Sequence, residues 1–336
     1  MSSSTESPRS PAAVPSMLDL VRLARRPAFP PGGVELYRQI GLLTGMQEGW
    51  DVGVIACGLG LTVEYFAREW GVEAHGVDED PRVIEEAEER VRAAGLLARA
   101  HFQQAPVDAL PFRDGIFDVT IAELGLTARA EPEAAVRELT RVTRPGGQVV
   151  LVQPVWKAPV EAARRAVLSE HLGTRPLMLV EWKRLLREAG LTDLHVEDWT
   201  DDETAFRPHV SKPFPDFAEL FSLRQKLGIL VRAYRVWGWR GVWTAVQRER
   251  EVHRLLTRER ILGLDLIKAV RPLAVGEAGG EPATRAAGAF DERTPGGGEP
   301  VGGVAGTLPP AASAGGASTD EEEEVSGLPL FGSGES

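Results

Sequence analysis

The chain has 336 residues, of which 43% are apolar, and its formal net charge is -11 at pH 7. This apolar content is enough for a buried core, but the apolar runs fall short of the about 20 residues of a membrane span, so we expect no transmembrane helix. The single cysteine, Cys57, excludes an internal disulfide and a cysteine-rich metal site, and with six scattered histidines the sequence predicts no metal.

The N-terminal part is predicted to contain a leader and two helices. Residues 1–15 are polar and rich in proline and lack the features of a secretory signal, so we expect a disordered leader and a cytoplasmic protein. Residues 16–45 contain two segments with apolar residues at helical spacing, separated by the breaker PAFPPGG. They predict two short amphipathic helices.

Residues 46–200 alternate between strand-like and helix-like segments. Strands are predicted at 51–57, 72–78, 99–104, 117–124, 147–154 and 193–200, and helices near 60–70, 81–94, 131–143, 158–170 and 179–189. The motif Pro145–Gly147 predicts a turn just before the fifth strand. Residues 261–272 add a seventh strand. The pattern is typical of an α/β, doubly wound and mostly parallel sheet covered by helices.

Residues 201–260, rich in Trp, Arg and Leu, predict two or more helices inserted before the last strand. Such an insertion would lie over the carboxyl edge of the sheet and could close over a substrate as a lid. Helix packing is the plainest interpretation of Trp237, Trp239 and Trp243. An apolar wall for an acceptor, stacking on nucleic acid beside neighbouring arginines, and contact with a membrane surface are the alternatives.

Residues 273–336 are predicted to form a disordered acidic tail, because Gly, Ala, Pro and Glu cannot bury enough apolar surface. The tail carries eleven acidic residues and two arginines, which leaves a charge of only -2 on residues 1–272. That charge gives no indication of a nucleic-acid partner, and none is expected. The segment DEEEEVSGLPLF predicts a solvated tail, with a protein partner as the alternative.

The most informative segment is VGVIACGLGLTVEYF, in which a buried strand leads through the turn Cys57–Gly60 directly into a helix. The first amides of that helix are unpaired, and the absent side chains allow a ligand to approach closely. Asp78 follows at the end of the second strand, where its carboxylate can accept hydrogen bonds from ribose hydroxyls. Together they predict a cradle for an adenosine. An ordinary strand-to-helix turn, with Asp78 capping the next helix, is the alternative.

Two later segments, DALPFRDGIFDVTIAE and AAVRELTRVTRPGGQVVLVQP, make the interpretation more specific. With the glycine turn and the strand-end acid, the chain resembles the class I S-adenosylmethionine (SAM) dependent methyltransferases, particularly the small-molecule branch that includes the ubiquinone/menaquinone-type enzymes. The resemblance covers residues 45–200, with 261–272 fitting the final strand. It implies a Rossmann-like fold, SAM as the cofactor, and methyl transfer to a small, apolar acceptor.

The resemblance also implies roles for individual residues around the methionine and ribose of SAM. Ala56, Gly58 and Gly60 would line the methionine part, and Asp78 would hold the ribose. Glu79 would flank the adenine.

Further residues would complete the adenine and methyl-transfer sides. Gln104 and Ala105, at the end of the third strand, would face the adenine ring. Glu123 and Leu124, which end the fourth strand, would face the methyl group and the acceptor. Methyl transfer does not require a general base; Glu123 is the nearest candidate for one, and a carboxylate bound to SAM or to a neighbouring amide is the alternative.

The first motif departs from the family pattern acid-x-Gly-x-Gly-x-Gly. Val54 stands in place of the acid, which in the family helps to organise the amino end of SAM, and Ala56 stands in place of the first glycine. These departures leave open a catalytically degenerate interaction protein that uses its acidic tail. An NAD-dependent oxidoreductase shares the turn and the acid, but Val63 replaces its third glycine and the later motifs stay unexplained.

Overall fold

The computed structural model describes Ser16 and residues 32–199, 223–254, 259 and 261–273. A central sheet is flanked by helices on both faces. Its strands are β1 (Asp51–Ile55), β2 (Glu73–Asp78), β3 (Ala100–Gln104), β4 (Phe117–Ala122), β5 (Thr143–Trp156), β6 (Leu177–Met178), β7 (Thr192–Asp198) and β8 (Leu262–Val270). The helices are α1 (Gly33–Thr44), α2 (Leu61–Glu69), α3 (Pro81–Ala93), α4 (Pro132–Val142), α5 (Ala162–Leu172), α6 (Leu179–Glu188) and α7 (Leu223–His253).

The strands lie in the order β3-β2-β1-β4-β5-β8-β7, with the short β6 beside β5. Strands β1 to β5 pair in parallel, and β8 runs antiparallel to both β5 and β7. The predicted mostly parallel sheet, with its last strand from 261–272, is confirmed. The prediction of seven strands omitted β6, because two residues are too few to show a periodicity.

The sheet separates two apolar cores, and neighbouring side chains of a strand enter opposite ones. Val54 packs in the core shared with α1, α2 and α3, whereas Ile55 packs in the core shared with α4 and α6. All six residues of β4 are buried, as expected for a strand covered by helices on both faces.

The expected turn at Pro145–Gly147 is wrong. These residues lie within β5 as a bulge, since Phe117 of β4 pairs with Thr143 and Val119 pairs with Gln148. Gly146 adopts a positive φ of 76°, and its amide donates a hydrogen bond to the Arg271 carbonyl at 2.7 Å. The strand therefore accommodates the irregular residues because the chain after β8 pairs with them.

Two predicted regions are described only in part. The first N-terminal helix, the leader 1–15, residues 201–222 and residues 274–336 lie outside the described residues. The second N-terminal helix is α1. In the predicted insertion, α7 is interrupted at Gly238, whose φ of 67° and ψ of -166° are not helical, so it consists of two helical arms. No helix in the described ranges has both the length and the apolar character that crossing a bilayer requires.

Candidate active site

The carboxyl ends of β2, β1 and β4 lie side by side at one edge of the sheet, with β1 in the middle. The turn that leaves β1 contains three left-handed residues, Ala56 (φ 59°), Gly58 (φ 51°) and Gly60 (φ 70°). It leads directly into α2, whose N-terminus has no side-chain cap. Backbone amides therefore point out of this edge.

The glycines of the turn serve different purposes. A Cβ added to Gly58 would meet no heavy atom within 4 Å, whereas one added to Gly60 would lie 2.6 Å from the ring of Phe102. Gly58 therefore borders open space, and Gly60 is required by packing. Ala56 keeps the left-handed conformation despite its side chain, at a cost of about 1 kcal/mol.

Asp78 ends β2 and is only 5% exposed. Its Oδ2 accepts a hydrogen bond from the Gly58 amide at 3.0 Å, and its Oδ1 accepts one from the Asp80 amide at 3.0 Å. Each carboxylate oxygen has a further lone pair for a ligand hydroxyl. The cap of α3 is Asp80, which accepts a hydrogen bond from the Arg82 amide, so Asp78 does not have the capping role considered as the alternative.

The residues predicted to flank an adenine lie next to Asp78. The Ala105 amide donates to the Asp78 carbonyl at 3.1 Å, and Gln104 Nε2 donates to the Glu79 carbonyl at 3.2 Å. The Glu79 carboxylate forms an ion pair with Arg129, at 3.1 Å. The structure thus brings Glu79, Gln104 and Ala105 together at the β2–β3 side of the edge.

Glu123 lies on the other side of the turn, immediately after β4, and is 4% exposed. Its amide donates to the Ile55 carbonyl at 3.0 Å, and Gln153 Nε2 donates to the carbonyls of Ala122 and Glu123 at 3.0 and 2.7 Å. The backbone at the end of β4 is therefore held by both neighbouring strands.

The carboxyl group of Glu123 is in an unusual environment. Burial raises its pKa to about 8, although the neighbouring Thr62 and Tyr37 hydroxyls lower it and the charge of Asp78 raises it further. At neutral pH this carboxyl is mostly protonated. Leu124 follows as a partly buried residue whose carbonyl accepts a hydrogen bond from Thr174 at 2.7 Å.

Three side chains of this site were not predicted from the sequence: Tyr37, Thr62 and Gln153. Tyr37 belongs to the apolar face of α1, and Thr62 lies inconspicuously in the first turn of α2. Gln153 did carry a signal, because it is a polar residue within the apolar run VVLVQPV, and a buried amide needs partners.

The described residues give less support to a metal site or to a cysteine nucleophile. In the part of the chain that the structure describes, no group of three or more His, Cys, Asp or Glu residues could hold a metal. Burial raises the pKa of Cys57, with smaller contributions from Asp78 and Glu123, so this buried residue is a thiol rather than a nucleophilic thiolate.

The chain is similar in sequence to known methyltransferases. Residues 54–151 match the family model described as a methyltransferase domain. The chain is 26% identical over 215 residues to methyltransferase GfsG of Streptomyces halstedii, covering 61% of this chain and 72% of that protein. It is 30% identical over 126 residues to the ubiquinone/menaquinone biosynthesis C-methyltransferase UbiE of Idiomarina loihiensis, covering 37% of this chain and 49% of that one.

Among solved structures, phosphoethanolamine N-methyltransferase 2 of Haemonchus contortus, in complex with SAM, is similar with a TM-score of 0.55. The match covers 72% of this chain and 54% of that chain, at 19% identity. This similarity concerns the fold.

Proposed function

Because the chain belongs to the class I SAM-dependent methyltransferases, we propose that it methylates a small, apolar acceptor at the edge formed by the ends of β2, β1 and β4. SAM supplies an electrophilic methyl group on a sulfonium. The residues of the chain then have three tasks, which are to hold the cofactor, to orient the acceptor and to exclude water.

The observation that carries the proposal is the open space at Gly58 between two buried carboxyl groups, Asp78 and Glu123. This arrangement fits SAM, because an adenosyl group can lie on the Asp78 side and the methionine part on the Glu123 side. Ala56, Gly58 and Gly60 would line the methionine part.

On the adenosyl side, the free lone pairs of Asp78 would accept hydrogen bonds from the ribose hydroxyls. Glu79, Gln104 and Ala105 would flank the adenine. These roles are supported by the contacts that already join the three residues to Asp78 or to one another.

On the transfer side, Glu123 and Leu124 would face the methyl group and the acceptor. A general-base role for Glu123 would require its ionised form, which in the ligand-free protein predominates only above about pH 8. Alignment and desolvation of the acceptor therefore have the larger part in this proposal.

Two features support an apolar acceptor. UbiE is named for the biosynthesis of ubiquinone and menaquinone, which are apolar molecules. In addition, α7 exposes apolar side chains, including Trp239 at 73% and Trp243 at 58% exposure. We propose that residues 201–260 form the lid over the acceptor and that these apolar side chains help to bind it.

The test uses SAM labelled on its methyl group and two matched sets of acceptors, prenylated phenols or quinols and small polar amines. We expect label to appear in the apolar set, with at least tenfold less transfer by Asp78→Ala. Transfer to the polar set alone would contradict the apolar acceptor. Failure to bind SAM at all would instead favour the non-catalytic interaction protein.

A protein partner for residues 273–336 is a separate proposal, supported by the acidic run and apolar motif of the tail. The comparison is between the full chain and a chain that ends at residue 317. A partner captured only by the full chain would support the proposal, and equal capture would contradict it.

A further inference from the structure

We propose that the Glu123 carboxylate is the ion-pair partner of the α-ammonium group of SAM, and that cofactor binding therefore releases a proton from the protein. This inference rests on the proposed function, since it requires SAM to occupy the edge at Gly58. It assigns to Glu123 the binding of the cofactor rather than the removal of a proton from the acceptor.

The position of Glu123 compensates for the missing acid at Val54. Val54 of β1 pairs in register with Ile121 of β4, and Ile121 and Glu123 project to the same face because strand side chains alternate. Glu123 therefore lies on the face that a carboxylate at position 54 would occupy, one strand away. Val54 itself is fully buried among apolar side chains.

A buried carboxylate is costly unless a cation or hydrogen-bond donors stabilise its charge. The other buried carboxyl groups of this fold have such partners. Among the buried carboxyl groups of the described residues, Asp118 pairs with Arg144 and Asp265 pairs with Lys157. Asp78 is held by backbone amides. Glu123 has hydroxyl neighbours instead, from Tyr37 and Thr62. A ligand that carries a positive charge would complete this site.

Among the residues that the structure describes, the ionisable groups that face Glu123 do not supply that charge. They are Tyr37 of α1, Cys57 of the turn and Asp78 of β2, and the first two are neutral at pH 7 because burial raises the pKa of each. Asp78 adds a negative charge. In the ligand-free protein Glu123 is therefore mostly a neutral acid, with a pKa of about 8.

An ammonium group beside this carboxyl would lower its pKa, because the ion pair stabilises the charged form. The O–H bond of the acid breaks, the electron pair remains on the carboxylate and the proton passes to the buffer. At pH 7 about 0.9 proton should be released per cofactor bound, and affinity should rise nearly tenfold per pH unit between pH 6 and 7.

The experiment is titration calorimetry on the full chain at pH 7 in phosphate and in Tris, whose ionisation enthalpies differ. Three ligands separate the possible cations. SAM carries an ammonium and a sulfonium, S-adenosylhomocysteine carries the ammonium alone, and methylthioadenosine carries neither. We expect about 0.9 proton to be released with SAM and with S-adenosylhomocysteine, and close to none with methylthioadenosine.

Glu123→Gln is the matched variant, because its neutral amide resembles the protonated acid, and at pH 7 it should melt cooperatively at a temperature no lower than that of the wild type. The substitution should abolish proton release and lower the affinity for S-adenosylhomocysteine at least tenfold, and it should change the affinity for methylthioadenosine much less.

A variant that still releases the proton would overturn the inference, as would release with SAM but not with S-adenosylhomocysteine. If the wild-type protein binds S-adenosylhomocysteine without releasing a proton, this inference fails and the proposed cofactor site stands. If none of the three ligands binds, both fail.

Discussion

The Gly58 amide donates a hydrogen bond to the Asp78 carboxylate at 3.0 Å, and this contact joins the turn after β1 to the end of β2. A second contact, from the Cys57 amide to the Val77 carbonyl at 3.0 Å, runs beside it. The turn and the acid therefore hold each other in position through contacts of the protein itself. Preorganisation of this kind reduces the ordering cost of binding.

The two glycines of the turn should respond differently to alanine. Gly58→Ala places a methyl group in open space, so it should cost about 1 kcal/mol of stability from its positive φ yet lower SAM affinity at least tenfold. Gly60→Ala places a Cβ 2.6 Å from the Phe102 ring and 2.9 Å from Ala87, so it should lower the free energy of unfolding by about 3 kcal/mol. Urea unfolding and calorimetry measure the two effects. Wild-type affinity in Gly58→Ala would contradict the cofactor's position.

Replacing Ala56 by glycine should stabilise the protein by about 0.5 kcal/mol. The relief of left-handed strain at φ 59° exceeds the added freedom of the unfolded chain. Ala166→Gly, on the exposed face of α5, is the control and should instead cost about 1 kcal/mol. Equal destabilisation by both substitutions in urea unfolding would show that Ala56 is not strained.

Glu123→Gln should remove a pH dependence of stability. The folded-state pKa of Glu123, about 8, lies above its ordinary value of 4.5. Its contribution to stability is therefore complete below pH 4.5 and is lost as the pH rises through 8, by about 1.4 kcal/mol per pH unit between these values. Without ligand, the variant should gain stability relative to the wild type from pH 5 to pH 8. A difference that stays constant over this range would mean that Glu123 is not buried as a neutral acid.

The ion pair between Lys157 and Asp265 should stabilise the fold, and it lies outside the turn at Gly58. Asp265 is 1% exposed, and Lys157 also contacts Asp198 at 2.7 Å. Lys157→Met leaves a buried carboxylate without its cation and should lower the free energy of unfolding by about 3 kcal/mol.

Adding Asp265→Leu to Lys157→Met should recover most of that loss, because no charge then remains buried. The exposed pair of Arg184 and Glu188 provides the control, and Arg184→Met should change stability by less than about 0.5 kcal/mol. A double variant as unstable as the single one would show that the buried charge is not the cause.

The sequence predicted what depends on short stretches of chain. The periodicity of apolar residues predicted the strands, and the glycine turn predicted where α2 begins. Asp78 could be placed because it ends the next strand. The bulge at Pro145–Gly147 could not be foreseen, since it depends on pairing with the chain near Arg271.

The surroundings of Glu123 also required the structure. Tyr37 reaches this carboxyl from α1, and the relation of Val54 to Glu123 depends on the register of β1 with β4. Contacts between distant segments leave no local pattern in the sequence. From the sequence, the missing acid in the first motif left open a catalytically degenerate protein, whereas the structure points to another carboxyl on the same face.

The central claim is that Asp78 and the turn at Gly58 bind one adenosyl group, and calorimetry with S-adenosylhomocysteine tests it most directly. The wild-type protein should bind the ligand. Asp78→Ala should lower the affinity about 100-fold, because two hydrogen bonds to a charged group are lost. Asp193→Asn, which removes an exposed charge from β7, should bind like the wild type, and both variants should melt cooperatively. No heat with the wild-type protein, or unchanged affinity in a folded Asp78→Ala variant, would contradict the account.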